Sequence, residues 1–314
     1  MINTLLQEQS IQIVLVDVGA SGEPPTIWKQ IGTQAIYVGF DPDEREMREI
    51  HSDLFAKHII INQAVMPSAG DVTFYLTQSP YCSSTLEPYL EKLQDYIYSD
   101  LFVVTDQTTV PATTLDDVVT SYNLGQIDWL KTDSQGIDLQ IYKSLSESLQ
   151  NKVLAIDVEP GLLRAYKGED LFPEVHLELL NNGFWLSDLE TRGTTRMTRQ
   201  SLHTLKLDEE LIKKASKMAP GWLEARYLRT LDWLQEQGMG QREYIVLFVF
   251  ALLDGHLGYG LDIMRQYQQL FGRDIVSQRA IAYTRNQIEQ RAVYKPQKPS
   301  IAQRVKNKLK YILT

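Results

Sequence analysis

A single cysteine, Cys82, stands in the 314 residues, so no internal disulfide is possible and a reducing compartment such as the cytoplasm fits best. Long hydrophobic runs are missing too. The longest, Ile245 to Leu253, has nine residues, about half of what spans a bilayer, and reads as a buried helix or strand. Met1 to Ser10 has no basic segment ahead of an apolar one, so it does not read as a secretory leader. Surplus positive charge is absent as well: the net charge is -9, which argues against nucleic acid as the partner, because phosphate binding needs a concentrated basic surface. No repeat of fixed period suggests a solenoid. What remains, 43% apolar and 23% charged residues, is the mixture of a soluble globular protein with ample length for a buried core.

From residue 12 to about 190, strands alternate with helical stretches. Residues 12–18 form a near-continuous apolar run of the kind buried on both faces, and further strands fall at 35–40, 58–62, 127–132, 152–158 and 184–189. Helices are expected at 24–32, from Asp41 to about 56, and at 114–122, 137–149 and 172–182, with Thr114 as a cap. Such alternation predicts a parallel sheet covered by helices on both faces over residues 1–206. Residues 68–113 break the pattern with short β-like pieces and polar turns, as an insertion or hairpin excursion would. Over 207–294 the pattern is helical, with helices expected at 208–218, 222–237, 242–254, 258–271 and 274–290. Trp222, Tyr227, Leu231, Trp233 and Leu234 would form an apolar packing face on the second of these. Residues 295–314 hold six Lys or Arg and no acid, with Ile301, Val305, Leu309 and Ile312 at helical spacing, a basic amphipathic tail.

In an open parallel sheet a ligand binds beyond the carboxyl ends of the strands, where strand order reverses. The first strand ends in Asp17-Val18-Gly19-Ala20-Ser21-Gly22, and Gly19 would let the backbone pass close to a ligand. An acid at Asp17 suits a cationic ligand, such as the amino-acid end and sulfonium of S-adenosylmethionine, better than a pyrophosphate. Glycine after a buried strand is also the mark of an ordinary tight turn. At the end of the second strand, 24 residues beyond Asp17, stands Gly39-Phe40-Asp41-Pro42. A carboxylate there can accept hydrogen bonds from both hydroxyls of a ribose, or serve as the N-cap of the next helix, or both. Loop and acid together select a nucleoside-containing cofactor. A dinucleotide stays open, although the full G-x-G-x-x-G set is missing.

Several pieces in order, VDVGASG, YVGFDPD, INQAV, VPATTLDDVV and the block Leu130-Lys131-Thr132-Asp133-Ser134-Gln135-Gly136-Ile137-Asp138, resemble the FkbM family of methyltransferases across about residues 12–190. Tyr166-Lys167-Gly168, Leu171-Phe172 and Gly183-Phe184 continue the likeness. The resemblance implies a Rossmann-like class I methyltransferase sheet and S-adenosylmethionine as cofactor. It further implies that Asp17, Gly19, Ala20 and Ser21 line the methionine portion, Asp41 with Pro42 holds the ribose, Gln63 and Ala64 lie against the adenine, and Asp133 sits at the active centre. Two departures stand out: Gln135 replaces the acid usual before the glycine, and Glu23-Pro24 stands where a glycine often opens the first helix.

Methyl transfer to a hydroxyl needs alignment with the sulfonium methyl and removal of one proton, the latter worth roughly 10²–10⁴-fold from a placed base. Asp133 is the first candidate for that carboxylate, Glu159 the second, and His176 a third that sits in a helical pattern where packing is the commoner role. Asp133 could instead cap a helix or pair with Lys131. No metal ligands are assigned, the alternative being Mg²⁺ held by Asp133, Asp157 and Glu159. Tyr166 and Lys167 could touch an acceptor, and Cys82 has no adjacent base. The acceptor expected from the resemblance is a hydroxyl of a sugar, glycan or secondary metabolite. The tail would dock on the acidic body, touch an anionic membrane weakly or, third because the rest of the chain is acidic, meet nucleic acid. Oligomeric state stays open. A non-catalytic partner protein retaining the fold and a nicotinamide-binding oxidoreductase are the competing functions.

Overall fold

A computed structural model describes residues 1–43 and 54–293. The basic tail expected over 295–314 lies outside the described residues, as does most of the helix expected after Asp41.

A short helix, α1 (Ile2–Glu8), leads into β1 (Ile13–Val18), all of whose residues are buried. Strand alternation sends Ile13 and Leu15 to one face and Val14, Val16 and Val18 to the other, and β2 (Ala35–Phe40) does the same with Ala35 and Tyr37 against Ile36, Val38 and Phe40. Both faces are covered, which is why these segments read as unbroken apolar runs. Between them, where a helix over 24–32 was expected, stand only two single 3₁₀ turns, Trp28–Gln30 and Gly32–Gln34. Pro24-Pro25 removes two amide donors and Gly32 interrupts the next turn, leaving too short a stretch for an α-helix.

β3 (Lys57–Ile61) pairs with β2, and the chain then leaves the main sheet. β4 (Ala64–Val65), β5 (Gly70–Thr77) and β6 (Val104–Thr113) build a separate three-stranded sheet in which β5 and β6 run antiparallel. That small sheet is the excursion read over 68–113. Helix α2 (Leu90–Leu93) and a 3₁₀ turn at Ser99–Phe102 lie within it. The chain returns through α3 (Leu115–Ser121), capped as expected by Thr114, whose hydroxyl accepts the Asp117 N–H at 3.1 Å. Then follow β7 (Trp129–Thr132), α4 (Asp138–Ser144), α5 (Glu147–Gln150), β8 (Ala155–Val158), α6 (Phe172–Asn181) and β9 (Phe184–Thr195). The remainder is α7 (Arg199–Thr204), α8 (Glu209–Ala215), β10 (Met218–Arg229), α9 (Leu231–Glu236), α10 (Gln241–Leu253), α11 (Leu257–Phe271) and α12 (Ile275–Val293).

The main sheet has seven strands in the order β3-β2-β1-β7-β8-β10-β9. The first five are parallel; β10 runs antiparallel to both β8 and β9. Strand order reverses between β1 and β7, so the crevice beyond their carboxyl ends is the place for a ligand.

β10 corrects the reading of 222–237 as one helix. Leu223, Ala225 and Tyr227 are buried and alternate with Glu224 and Arg226, a period of two. The apparent helical spacing of Trp222, Tyr227, Leu231 and Trp233 spans two elements, because Thr230 caps a new helix by accepting the Trp233 N–H at 3.2 Å. Helices alone make up the chain only from Leu231 onward among the described residues.

Two cores flank the sheet. On one face Val14, Val16, Val38, Leu130 and Ile156 pack against α3, α4 and α6. On the other, Ile13, Leu15, Tyr37, Trp129 and Leu228 meet α10, whose residues Tyr244 to Leu252 are all buried. The nine-residue apolar run is therefore a helix wrapped on all sides, with Phe250 4.7 Å from Trp129 between ring centres. No helix among the described residues is long and apolar enough to cross a membrane.

Candidate active site and cofactor cleft

The end of β1 turns at Gly19, whose φ is +79° and where a side chain would collide with the Asp133 carbonyl oxygen. The Gly19 and Ala20 amides donate to Phe40 O at 2.9 Å, and the Asp133 amide to Val18 O at 2.9 Å, locking the ends of β1, β2 and β7 together. Asp17 lies beneath this turn. Its carboxylate is 2.6 Å from Lys131 Nζ and accepts a hydrogen bond from Tyr37 Oη at 3.0 Å. Burial alone would pull the Lys131 ammonium down, but Asp17 and Asp133 hold it above its usual range. Lys131 thus pairs with Asp17, not with Asp133.

Beyond the turn is a narrow cleft of about 90 Å³ lined by Gly19, Ser21, Asp41, Pro42, Gln63, Ala64 and Asp133. These seven are among the residues expected to meet a cofactor. Asp17 and Ala20 are not in the lining, the first being occupied by Lys131 and Tyr37, the second facing Gly39. Asp41 is only 8% exposed and accepts the Asp43 N–H at 2.8 Å. Burial pushes its carboxyl up to about 6, aided by the charges of Asp43, Asp133 and Asp17. Asp43, Tyr81, Thr85 and Ser134 also line the cleft and were not foreseen. Asp43 was visible in the DPD tripeptide; Tyr81 and Thr85 come from the β5–β6 excursion, which no local pattern connects to this site. No lysine, arginine or histidine among the described residues lines it. The Thr85 hydroxyl is buried there without a partner among the described residues.

Asp133 stands between this cleft and a larger chamber of about 560 Å³, lining both. Its Oδ1 accepts a hydrogen bond from Gln135 Nε2 at 2.5 Å, and Gln135 Oε1 in turn accepts from Tyr166 Oη at 2.9 Å. Glu159, just past β8, shares a hydrogen bond with Asp133. Burial first, then the charge of Asp133 and that bond, raise the Glu159 carboxyl far above the carboxylate range, so Glu159 holds its proton at neutral pH. Asp138 fastens the surrounding loops. It accepts from the Ser134 amide and hydroxyl at 2.9 and 2.5 Å and from the Glu159 amide at 2.9 Å.

The other candidates lie elsewhere. His176 lines neither cavity; its Nδ1 is 2.9 Å from Tyr227 Oη and its ring stacks on Phe172. Asp157 is held by Arg226 at 2.8 and 2.9 Å and by the Trp129 indole N–H at 3.1 Å, so it does not converge with Asp133 and Glu159 on a metal. Among the described residues no group of three or more histidine, cysteine or acidic side chains is placed to hold a metal ion. Cys82 lines the chamber with a thiol that burial pushes up to about 11, the wrong direction for a nucleophile. Lys167 is drawn to Glu87 at 2.6 Å, whereas Tyr166 forms part of the chamber wall.

A crevice at the switch point of a largely parallel sheet covered on both faces defines an open α/β fold with its cleft beyond the carboxyl ends of the strands. Residues 18–186, more than half the chain, match the methyltransferase FkbM domain, and the chain belongs to that family of methyltransferases. No curated protein and no solved structure matches it.

Proposed function

We propose that the protein is an S-adenosylmethionine-dependent methyltransferase that acts on a hydroxyl oxygen. The observation that carries this reading is the cleft itself: Asp41, Asp43 and Asp133 line it, and no cationic side chain among the described residues does. Such a surface attracts a sulfonium and an ammonium and repels a pyrophosphate, which counts against a nicotinamide dinucleotide. The sheet also departs from the six-stranded dinucleotide-binding order by the antiparallel β10 inserted before β9. The cleft is smaller than the roughly 300–1,000 Å³ of preformed small-molecule sites, so cofactor entry has to widen it.

When bound, S-adenosylmethionine would supply a methyl group activated by positive sulfur. Asp41, with Pro42, would hold the ribose, Gln63 and Ala64 would face the adenine, and Gly19 and Ser21 the methionine portion. Asp133 and Glu159 would face the acceptor from the chamber side. Asp133, with the protonated Glu159 beside it, would take up the proton that an acceptor hydroxyl gives up on methylation. Gln135 keeps Asp133 aimed by donating to its Oδ1, a role an acid at this position could fill only when protonated.

The two departures from the family pattern fit an active enzyme. Glu23 is exposed and paired with Lys29, outside the cleft lining. Calorimetry checks the assignment: S-adenosylmethionine binds and NAD does not. Asp41→Ala weakens the cofactor roughly 10- to 100-fold, the worth of hydrogen bonds to a charged group. An unchanged affinity in that variant, or heat from NAD alone, would overturn it.

A further inference from the structure

The chamber beyond Asp133 restricts the acceptor more than a search for a hydroxyl would. Trp222, Tyr98, Phe102 and Tyr166 form one continuous aromatic wall, with successive ring centres 6.3, 5.3 and 5.7 Å apart. They come from β10, the end of the β5–β6 excursion and the loop before α6, so three separate segments converge on a single apolar surface. Leu163 and Ala165 extend it, and Tyr81, Leu101 and Met218 stand at the lining 57%, 43% and 49% exposed.

Most polar side chains of the lining are already engaged. Gln135 is held by Asp133 and Tyr166, and the Tyr166 hydroxyl also lies 2.9 Å from Cys82 O. Glu169 accepts the amides of Ala165 and Tyr166 at 2.5 and 3.1 Å. Lys213 is paired with Glu209 and Glu210 at 3.1 and 3.0 Å. A polyol buried here would need a partner for each hydroxyl, and each one left unpaired costs about 1–3 kcal/mol. An anion would meet the Asp133 carboxylate, and Lys213, the cation of the lining, is already taken by its two glutamates. Apolar ring surface, by contrast, is presented by the half-buried Trp222 and Tyr98, with the buried Phe102 and Tyr166 supporting them.

We propose that the acceptor is an uncharged molecule with an apolar ring body, which lies along the Trp222–Tyr98–Phe102–Tyr166 wall and presents one hydroxyl to Asp133 and Glu159. This rests on the methyltransferase reading above and narrows it, away from free sugars and towards ring alcohols and phenols.

The full-length protein is tested with N-phenyl-1-naphthylamine, an uncharged apolar fluorophore, and with two competing acceptors, 2-naphthol and methyl α-D-glucopyranoside. The expected result is enhanced probe emission that 2-naphthol reverses and the glucoside does not, with S-adenosylhomocysteine released faster with 2-naphthol. Trp222→Ala weakens the probe roughly tenfold, the scale of one lost aromatic contact, and leaves calorimetric affinity for S-adenosylhomocysteine unchanged. Tyr98→Ala, on a different segment, repeats the test should the first variant fail to fold. Displacement by the glucoside, or probe binding that neither variant alters, overturns the proposal while cofactor affinity stays intact. Absence of S-adenosylhomocysteine binding to the unaltered protein sinks the cofactor reading instead, and the probe result distinguishes the two failures.

Discussion

Two sets of carboxylates occupy this protein, and they are treated in opposite ways. Those against the helical C-terminal layer are matched by guanidinium groups: Asp157 and Asp254 by Arg226, and Asp128 by Arg242 at 2.7 and 2.9 Å. Those around the cleft and chamber, Asp41, Asp133, Asp138 and Glu159, crowd one another, and the lysine nearest them is spent on Asp17. Compensation marks the first set as architecture. Its lack in the second leaves Asp41, Asp138 and Glu159 with raised proton affinity near two cavities, a condition that would suit a positive ligand and proton transfer.

Breaking the second set should cost activity. Asp133→Asn is expected to lower methyl transfer 10²–10⁴-fold while denaturant unfolding shows stability unchanged or slightly higher, since one crowded charge is removed. A variant that keeps its rate would erase the distinction between the two sets. Breaking the first should cost stability. Arg226→Met strips the guanidinium from Asp157 and Asp254, leaving only the Trp129 indole N–H and the His256 ring beside them, and urea unfolding should report a loss of up to about 3–5 kcal/mol, with cofactor affinity of the folded fraction unaltered. A near-neutral result would mean that water reaches those acids and that the compensation is incidental.

The smallest effect sharpens the comparison through pH. Burial pushes the Glu169 carboxyl from 4.5 up to about 7, against the two amides that favour its ionised form. Over that window the folded chain keeps a proton that the unfolded chain releases, so stability is present at low pH and is lost as pH rises through about 7. Glu169→Gln flattens this part of the profile, read as urea midpoints below and above the window. An unchanged slope would show that Glu169 is hydrated and does not belong with the crowded set.

The parallel half of the sheet was legible because its strands are buried on both faces and its loops end in residues with narrow uses, Gly19 and Asp41 foremost. Asp133 and Glu159 could be placed side by side for the same reason: topology carries strand ends to one edge whatever the intervening sequence. What stayed hidden depended on contacts across long separations. Asp17 looked like a ligand residue because nothing local says that Lys131, 114 residues away, would claim it. Asp157 and Glu159 are two positions apart, yet only Arg226 decides which is structural. Trp222 was read on a helix because its spacing to Tyr227 and Trp233 happened to fit one. Only the buried alternation of Leu223, Ala225 and Tyr227 separates the two periods, and with it goes the chamber wall.

The placement of β10 sets a schedule for making the molecule. It fills the position between β8 and β9 but arrives only with Met218–Arg229, some sixty residues of synthesis after β8 has left the ribosome. Until then the edge of β8 is open, its amides and carbonyls available to any neighbouring strand. Over that interval mispairing at the β8 edge competes with completion of the sheet.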